Sequence, residues 1–153
     1  MKRITFKFIV CFALACAVAV CAASFTACGV SAKDYYGEYH YANPWSAEEP
    51  DYGIKVKVQV KPDTKGDRIV SVKIIESNYA EVTDDWNGKN VWLDGLNDLL
   101  KSYGGKYVAD VLAAKVTVKE NGEPQSVSDG DLMITGATQG CGRLLLAVQN
   151  ALR

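Results

Sequence analysis

Two runs of alternating apolar and polar residues, joined by a turn sequence, most constrain the fold of this 153-residue chain. In residues 54–60, isoleucine and valine occupy every second position, and lysine and glutamine fill the positions between them. A period of two places one face of a β-strand on a core and the other face in solvent. Residues 69–75 are similarly rich in β-branched residues, and the intervening 62–67 contain proline, aspartate and glycine, as turns do. The pattern predicts an antiparallel hairpin.

Further elements are predicted on both sides of this hairpin. Aromatic residues in 35–41 predict a first strand, and leucines at helical spacing in 91–103 predict a helix that ends at Gly104-Gly105. The remaining predictions are loops at 43–50, 81–90 and 123–131, a helical tendency at 107–114, short strands at 116–118 and 132–134, and a helix at 141–152. Strands and helices that alternate irregularly around a hairpin indicate an α+β fold, here a small single domain with packed helices.

The N-terminal segment has the layout of a secretory signal peptide. Lys2, Arg3 and Lys7 give it a positive head, and residues 8–23 are all apolar or cysteine. Small residues follow up to Cys28, which completes the order of charge, apolar run and cleavage site. The apolar run is short for a transmembrane helix, which needs roughly 20 residues, so an uncleaved anchor is the less favoured interpretation.

Two cleavage sites compete at the end of this segment. Thr26-Ala27-Cys28 resembles a bacterial lipobox, in which Cys28 becomes the lipidated first residue of the mature chain. Val30-Ser31-Ala32 suits ordinary signal peptidase. We favour the lipoprotein, with 1–27 as signal peptide, 28–34 as lipid anchor and tether, and 35–153 as the folded domain. The predicted location is extracytoplasmic, either anchored to the cell membrane or secreted.

Composition excludes several classes of function. The chain has 17 basic and 18 acidic residues, and three of the basic ones precede Cys28, so the predicted mature chain is acidic by four charges. No basic patch favours nucleic-acid binding. Lipidation of Cys28 would leave Cys141 as a lone thiol, without a disulfide framework. His40 is the single histidine, so neither a metal site nor a catalytic triad is expected.

One segment near the C-terminus has the composition of an anion site. Small residues in Thr135-Gly136-Ala137-Thr138 allow a ligand to approach the backbone, and the last predicted helix follows. A helix N-terminus offers unpaired amides and a positive dipole end, which suit a phosphate. Arg143 adds a charged planar fork. The alternative interpretation is a structural corner in which Thr138 caps the helix.

At these residues the chain resembles the FMN-binding domain family. The C-terminal hallmark of that family, Ser/Thr-Gly-Ala-Thr before a helix, corresponds to Thr135–Thr138, and the end of the helix corresponds to Ala147–Leu152. The N-terminal hallmark is an aromatic-glycine strand before an alternating hairpin, and it corresponds to Tyr36–Tyr39, Tyr52–Val58 and Arg68–Val72. The family includes the flavin-carrying periplasmic subunits of the sodium-pumping NADH:quinone reductase and of the Rnf complex.

The resemblance covers residues 35–152 and implies a cofactor, a linkage and partners. In the family a flavin transferase esterifies the last threonine of the motif to the FMN phosphate, which here would be Thr138, with Thr135, Gly136 and Ala137 shaping the turn. Such a domain carries electrons between a membrane or exported redox partner and an acceptor, and it is not a self-contained enzyme. Candidate walls for the flavin ring are Tyr36, Tyr39, Trp86 and Trp92.

Two other functions remain open at this point. One is a flavin-free or non-covalently FMN-binding lipoprotein that acts as a binding or scaffold module. The other is a lipoprotein that binds a soluble ligand in a groove lined by the aromatic residues of 35–45.

Overall fold

The computed structural model describes residues 31–43, 51–78, 85–86 and 89–153 of the chain. Side chains are described in 31–43, 51–78 and 94–153. Residues Ala32–Arg153 form one compact unit. The predictions that concern the signal peptide, Cys28 and the start of the tether lie outside the described residues. The predicted loop at 43–50 also lies almost wholly outside them.

The first half of the unit is an antiparallel sheet with strand order β1-β2-β3. Its strands are β1 (Lys33–Tyr41), β2 (Tyr52–Lys61) and β3 (Arg68–Ser77). The register places Tyr35 opposite Val58 and Val58 opposite Val72. The apolar positions of β2 are buried and its lysines and glutamine are more exposed, so the predicted hairpin is confirmed. β1 begins two residues before the predicted strand.

The second half contains short strands and helices. Its elements are β4 (Asp85–Trp86), β5 (Lys89–Asn90), α1 (Val91–Ser102), α2 (Val108–Ala113), β6 (Val116–Val118), β7 (Pro124–Val127), a 3₁₀ helix (Gly130–Leu132) and α3 (Thr138–Leu152). The predicted helices are confirmed, although α3 begins three residues earlier than expected. β4 pairs with β5, and β6 pairs with β7, both antiparallel.

Three predictions in this half are wrong. The stretch predicted as a loop at 81–90 contains the paired strands β4 and β5. The polar stretch 123–131 is not all loop, because β7 lies within it and pairs with β6 through Val116–Val127 and Thr117–Ser126. The predicted strand at 132–134 is also wrong, since Leu132 ends the 3₁₀ helix and is fully buried in the core. A short run of apolar residues fits either a strand or a helix, so the pattern could not distinguish the two elements.

Helix α3 lies at the centre of the core. Ten of its fifteen residues are buried, and Leu144, Leu145, Ala147 and Val148 are fully so. One side packs on the sheet at Gly37, where a Cβ atom would lie less than 3.0 Å from the backbone of Ala147 and Ala151. Glycine is therefore required for this close approach of strand and helix.

A second side of α3 packs on the hairpin formed by β6 and β7. A Cβ atom on Gly142 would lie 2.5 Å from Cβ of Pro124. The Gln149 amide donates to the carbonyl oxygens of Val111 at 2.8 Å and Ala114 at 2.7 Å, which satisfies acceptors at the end of α2. The fold is thus α+β, as predicted, with one helix shared by a sheet and a hairpin.

Candidate functional site

The candidate site lies between the 3₁₀ helix and α3. Asp129 precedes the 3₁₀ helix, and its carboxylate accepts a hydrogen bond from the amide of Asp131 at 3.0 Å. Leu132 then anchors the chain in the core, while Met133 is 39% exposed. The segment that follows Leu132 is therefore fixed in the core at its start and then reaches the protein surface.

A tight turn at Ile134–Ala137 sets the direction of the motif. The Ala137 amide donates to the carbonyl oxygen of Ile134 at 3.0 Å, and Gly136 has a φ of 89°. A positive φ at the third position of a four-residue turn is the requirement of a type II turn, which glycine meets without strain. Thr135 and Gly136 are exposed at the tip of this turn.

Thr138 is the first residue of α3, and Ala137 occupies the N-cap position. The interpretation of Thr138 as the cap is therefore wrong, because the turn shifts the helix start by one residue. The Ala137 side chain makes no cap hydrogen bond, and the first intrahelical bond runs from the Cys141 amide to the Ala137 carbonyl at 3.0 Å. The amides of residues 138–140 precede that bond, and they have no acceptor among the described residues.

Cys141 ties the turn to the helix. Its buried Sγ accepts a hydrogen bond from the Ile134 amide at 3.1 Å, which fixes the residue that opens the turn. Burial raises the pKa of the Cys141 thiol, although the hydrogen bond from Ile134 opposes this shift. The thiol is thus a protonated, packed group. Nearby, burial also raises the pKa of the fully buried Tyr103 phenol.

The first turn of α3 is also held by a buried carboxylate from the neighbouring hairpin. Glu123 is 3% exposed and accepts hydrogen bonds from Lys119 at 2.8 and 2.9 Å and from the side-chain amide of Gln139. The sequence analysis did not identify these residues. The one feature of the sequence that could have indicated this contact was the spacing of Lys119 and Glu123 across the turn at Asn121-Gly122.

A second lysine neutralises the acidic residues that precede the motif. Lys106 Nζ lies 3.3 Å from Asp129 and 3.5 Å from Asp131. Together with the Lys119–Glu123 pair, this contact means that each of these three carboxylates has a lysine partner. Their repulsion of an anion at the start of α3 is therefore reduced.

Arg143 lies inside the protein. Its side chain is 0% exposed, and it follows Thr138 by five residues, which is about 7.5 Å along the helix axis. The sequence predicts that it adds charge and a planar fork for a phosphate, and the structure places its side chain in the core. A role for Arg143 at the site is thus that of a buried positive charge.

The aromatic candidates for a flavin slot lie in different places. Tyr36 is 64% exposed on β1, whereas the Tyr39 hydroxyl donates to the Gly122 carbonyl at 2.7 Å. The side chains of Trp86 and Trp92 lie outside the described residues. The backbone of Trp92 is three residues before Gly95, and a Cβ atom on Gly95 would contact the side chain of Ile134 at 2.8 Å. The start of α1 therefore adjoins the motif turn.

Comparison of the chain with protein-family models, with curated proteins and with solved structures found no match. Within the described residues, no cluster of three histidine, cysteine or carboxylate side chains could hold a metal ion. Among those same residues, no helix is both long and apolar enough to cross a lipid bilayer.

Proposed function

We propose that this chain is an exported, membrane-anchored FMN-binding protein that carries electrons outside the cytoplasm. Its flavin is attached through the phosphate to Thr138, and Thr135, Gly136 and Ala137 form the turn that presents this threonine. The partners are a flavin transferase, which makes the linkage, and a membrane or exported redox protein, which exchanges electrons. The lipid anchor is Cys28.

The observation that carries the proposal is the open N-terminus of α3. The amides of residues 138–140 have no acceptor among the described residues, and the N-cap alanine has no side-chain oxygen to offer. Three amides and the positive end of a 15-residue helix dipole favour a phosphate. The half-buried Thr138 lies at the first helical position, so its hydroxyl is next to those amides.

The surrounding contacts support the same use of the turn. Gly136 supports the tight turn without strain, and Cys141 and Glu123 hold the two sides of the turn in place. Such fixed donors bind an anion with little reorganisation. Bound FMN would supply the electron chemistry, and the protein would position it and exclude competing reactions.

The test compares two threonines on the same turn. The chain from Gly29 onward is expressed with a flavin transferase as wild type, Thr138→Val, Thr138→Ser and Thr135→Val. Each protein is denatured, separated on a gel and viewed under ultraviolet light. We expect fluorescent bands for wild type and Thr135→Val, and no band for Thr138→Val. Thr138→Ser keeps the hydroxyl and should retain part of the signal.

The other outcomes are equally informative. Fluorescence that persists in Thr138→Val would place the linkage elsewhere. A dark wild-type band with flavin absorbance in the native protein would mean non-covalent FMN. Absence of both signals would reject flavin binding and leave a binding or scaffold module as the function.

A further inference from the structure

The lysines whose side chains the structure describes fall into two groups. Five of them form ion pairs with carboxylates, namely Lys55, Lys57, Lys101, Lys106 and Lys119. Among the same described residues, five others have no carboxylate partner, namely Lys33, Lys61, Lys65, Lys73 and Lys115. Three of the second group lie together at one end of the sheet.

Lys33, Lys61 and Lys65 define this basic end. Lys33 begins β1 opposite Val60, Lys61 is the next residue on β2, and Lys65 is in the turn that joins β2 to β3. All three side chains are exposed. The basic end thus presents three unpaired positive charges on adjacent strands and their turn.

Two carboxylates belong to the same turn. Asp63 is paired with Arg68, whose Nε lies 2.5 Å from a carboxylate oxygen, so these two charges cancel. Asp67 is exposed, and its carboxylate forms no ion pair among the described residues, although its backbone carbonyl accepts a hydrogen bond from the Val108 amide. The basic end therefore keeps a net positive charge, although the predicted mature chain is acidic by four charges.

The two segments of the chain that follow the opposite end of the sheet are rich in acidic residues. One begins after Tyr41, the last residue of β1, and the other begins after Ser77, the last residue of β3. The segments that follow contain six acidic residues and one lysine, namely Glu48, Glu49, Asp51, Glu81, Asp84, Asp85 and Lys89. An anionic surface would attract the basic end and repel these acidic segments.

The basic end is also where the chain enters the domain from its predicted anchor. Lys33 follows Cys28 by five positions, and five extended residues span at most about 17 Å. Tyr35 and Tyr36 follow at once, and they are 37% and 64% exposed. Exposed tyrosine beside lysine is typical of protein surfaces at the membrane–water interface.

We propose that the basic end of the sheet docks on anionic phospholipid headgroups. Lys33, Lys61 and Lys65 contact the bilayer next to the anchor, so the domain lies with this end on the membrane. A lipid chain and a basic patch together give a defined orientation that the lipid chain alone would not. The membrane location is part of the proposed function, but the docking requires neither flavin nor lipidation.

The test uses the unlipidated chain from Gly29 onward, which contains the whole compact unit Ala32–Arg153. Its sedimentation with phosphatidylcholine–phosphatidylglycerol vesicles is measured at low and high salt, with pure phosphatidylcholine vesicles as reference. The variant Lys33→Gln/Lys61→Gln/Lys65→Gln is compared with Lys73→Gln/Lys101→Gln/Lys115→Gln. The two variants lose the same net charge, and circular dichroism confirms that both are folded.

We expect the wild type to bind the anionic vesicles and to dissociate at high salt. The first variant should lose on the order of 100-fold in partition coefficient, since each lysine near an anionic surface contributes about 1 kcal/mol. The second should stay within about threefold of wild type, because screening limits charges that are far from the surface. Equal losses in both variants, equal binding to neutral vesicles, or no binding of the wild type would each overturn the proposal.

Discussion

The two ends of α3 are held by different contacts. Near its C-terminus the helix backbone packs closely against the backbone of Gly37 in β1, and hydrogen bonds from the Gln149 and Asn150 side chains add to this packing. At its N-terminus the helix is held by polar contacts, from Gln139 to Glu123 and from the Ile134 amide to Cys141. Thr135 and Gly136 remain exposed there.

Because of this difference, one end of α3 contributes mainly to the stability of the fold, and the other end remains accessible to a ligand. Where two backbones pack without a side chain between them, there is no room for additional atoms. The C-terminal end therefore fixes the position of the helix on the sheet. Hydrogen bonds from side chains leave the backbone amides of the first turn available to a ligand. The same helix can therefore be a core element at one end and a candidate site at the other.

The largest expected effect tests the packed end. In Gly37→Ala the new Cβ atom would lie less than 3.0 Å from backbone atoms of α3, and the backbone cannot move aside as a flexible side chain can. We expect a loss of about 3 kcal/mol in the free energy of unfolding. Urea denaturation followed by circular dichroism measures this loss.

Gly130→Ala is the matched control for Gly37→Ala. A Cβ atom on Gly130 meets nothing within 4 Å, so the change should stay within about 0.5 kcal/mol. Equal stability of Gly37→Ala and wild type would show that the strand–helix contact is looser than described, and the comparison of the two ends would fail.

A smaller effect on stability is expected at the N-terminal end of α3. In Gly136→Ala an alanine must adopt a φ of 89°, which costs about 1–2 kcal/mol. Because the strain acts on the turn that presents Thr138, the yield of covalent flavin should also fall. Denaturation and in-gel fluorescence measure the two effects.

Gly105→Ala separates strain from site geometry. Gly105 has a φ of 83° and meets nothing within 4 Å, but it follows α1 rather than the motif turn. It should lose similar stability and keep full flavin attachment. If both variants attached flavin equally well, the turn geometry would have no part in the reaction.

The smallest effect concerns the thiol that ties the turn to the helix. Burial disfavours the charged thiolate, so the pKa of Cys141 should lie above that of a free cysteine. Cysteine-selective ¹³C labelling of the chain from Gly29 onward reports this one thiol, and its Cβ chemical shift can be followed against pH. The urea-unfolded chain provides the reference. A native midpoint at or below the reference would mean that the N-terminal end of α3 opens to solvent.

Much of the fold could be predicted where apolar residues recur with the period of a strand or of a helix. The hairpin of β2 and β3 and the helices α1 and α3 were predicted because their apolar positions have a period of two or close to 3.6. β7 was missed, since Pro124-Gln125-Ser126-Val127 resembles a loop and becomes a strand only by pairing with β6.

The candidate site was predicted in part. The sequence indicated a turn of small residues before a helix, and that turn is present at Ile134–Ala137. It could not indicate the carboxylate of Glu123, which comes from another element, or the burial of Arg143. Contacts between distant parts of a chain leave no local pattern.

The sequence by itself determined the hairpin of β2 and β3, the helices α1 and α3 and the α+β class, because periodicity and turn chemistry act over a few residues. Tertiary structure decided which end of α3 is closed and which is open. Gly37 matters only because β1 crosses α3 there, and the turn before α3 is held in place by contacts with Cys141 and Glu123. These are long-range packing effects, and they exist only once the chain has folded.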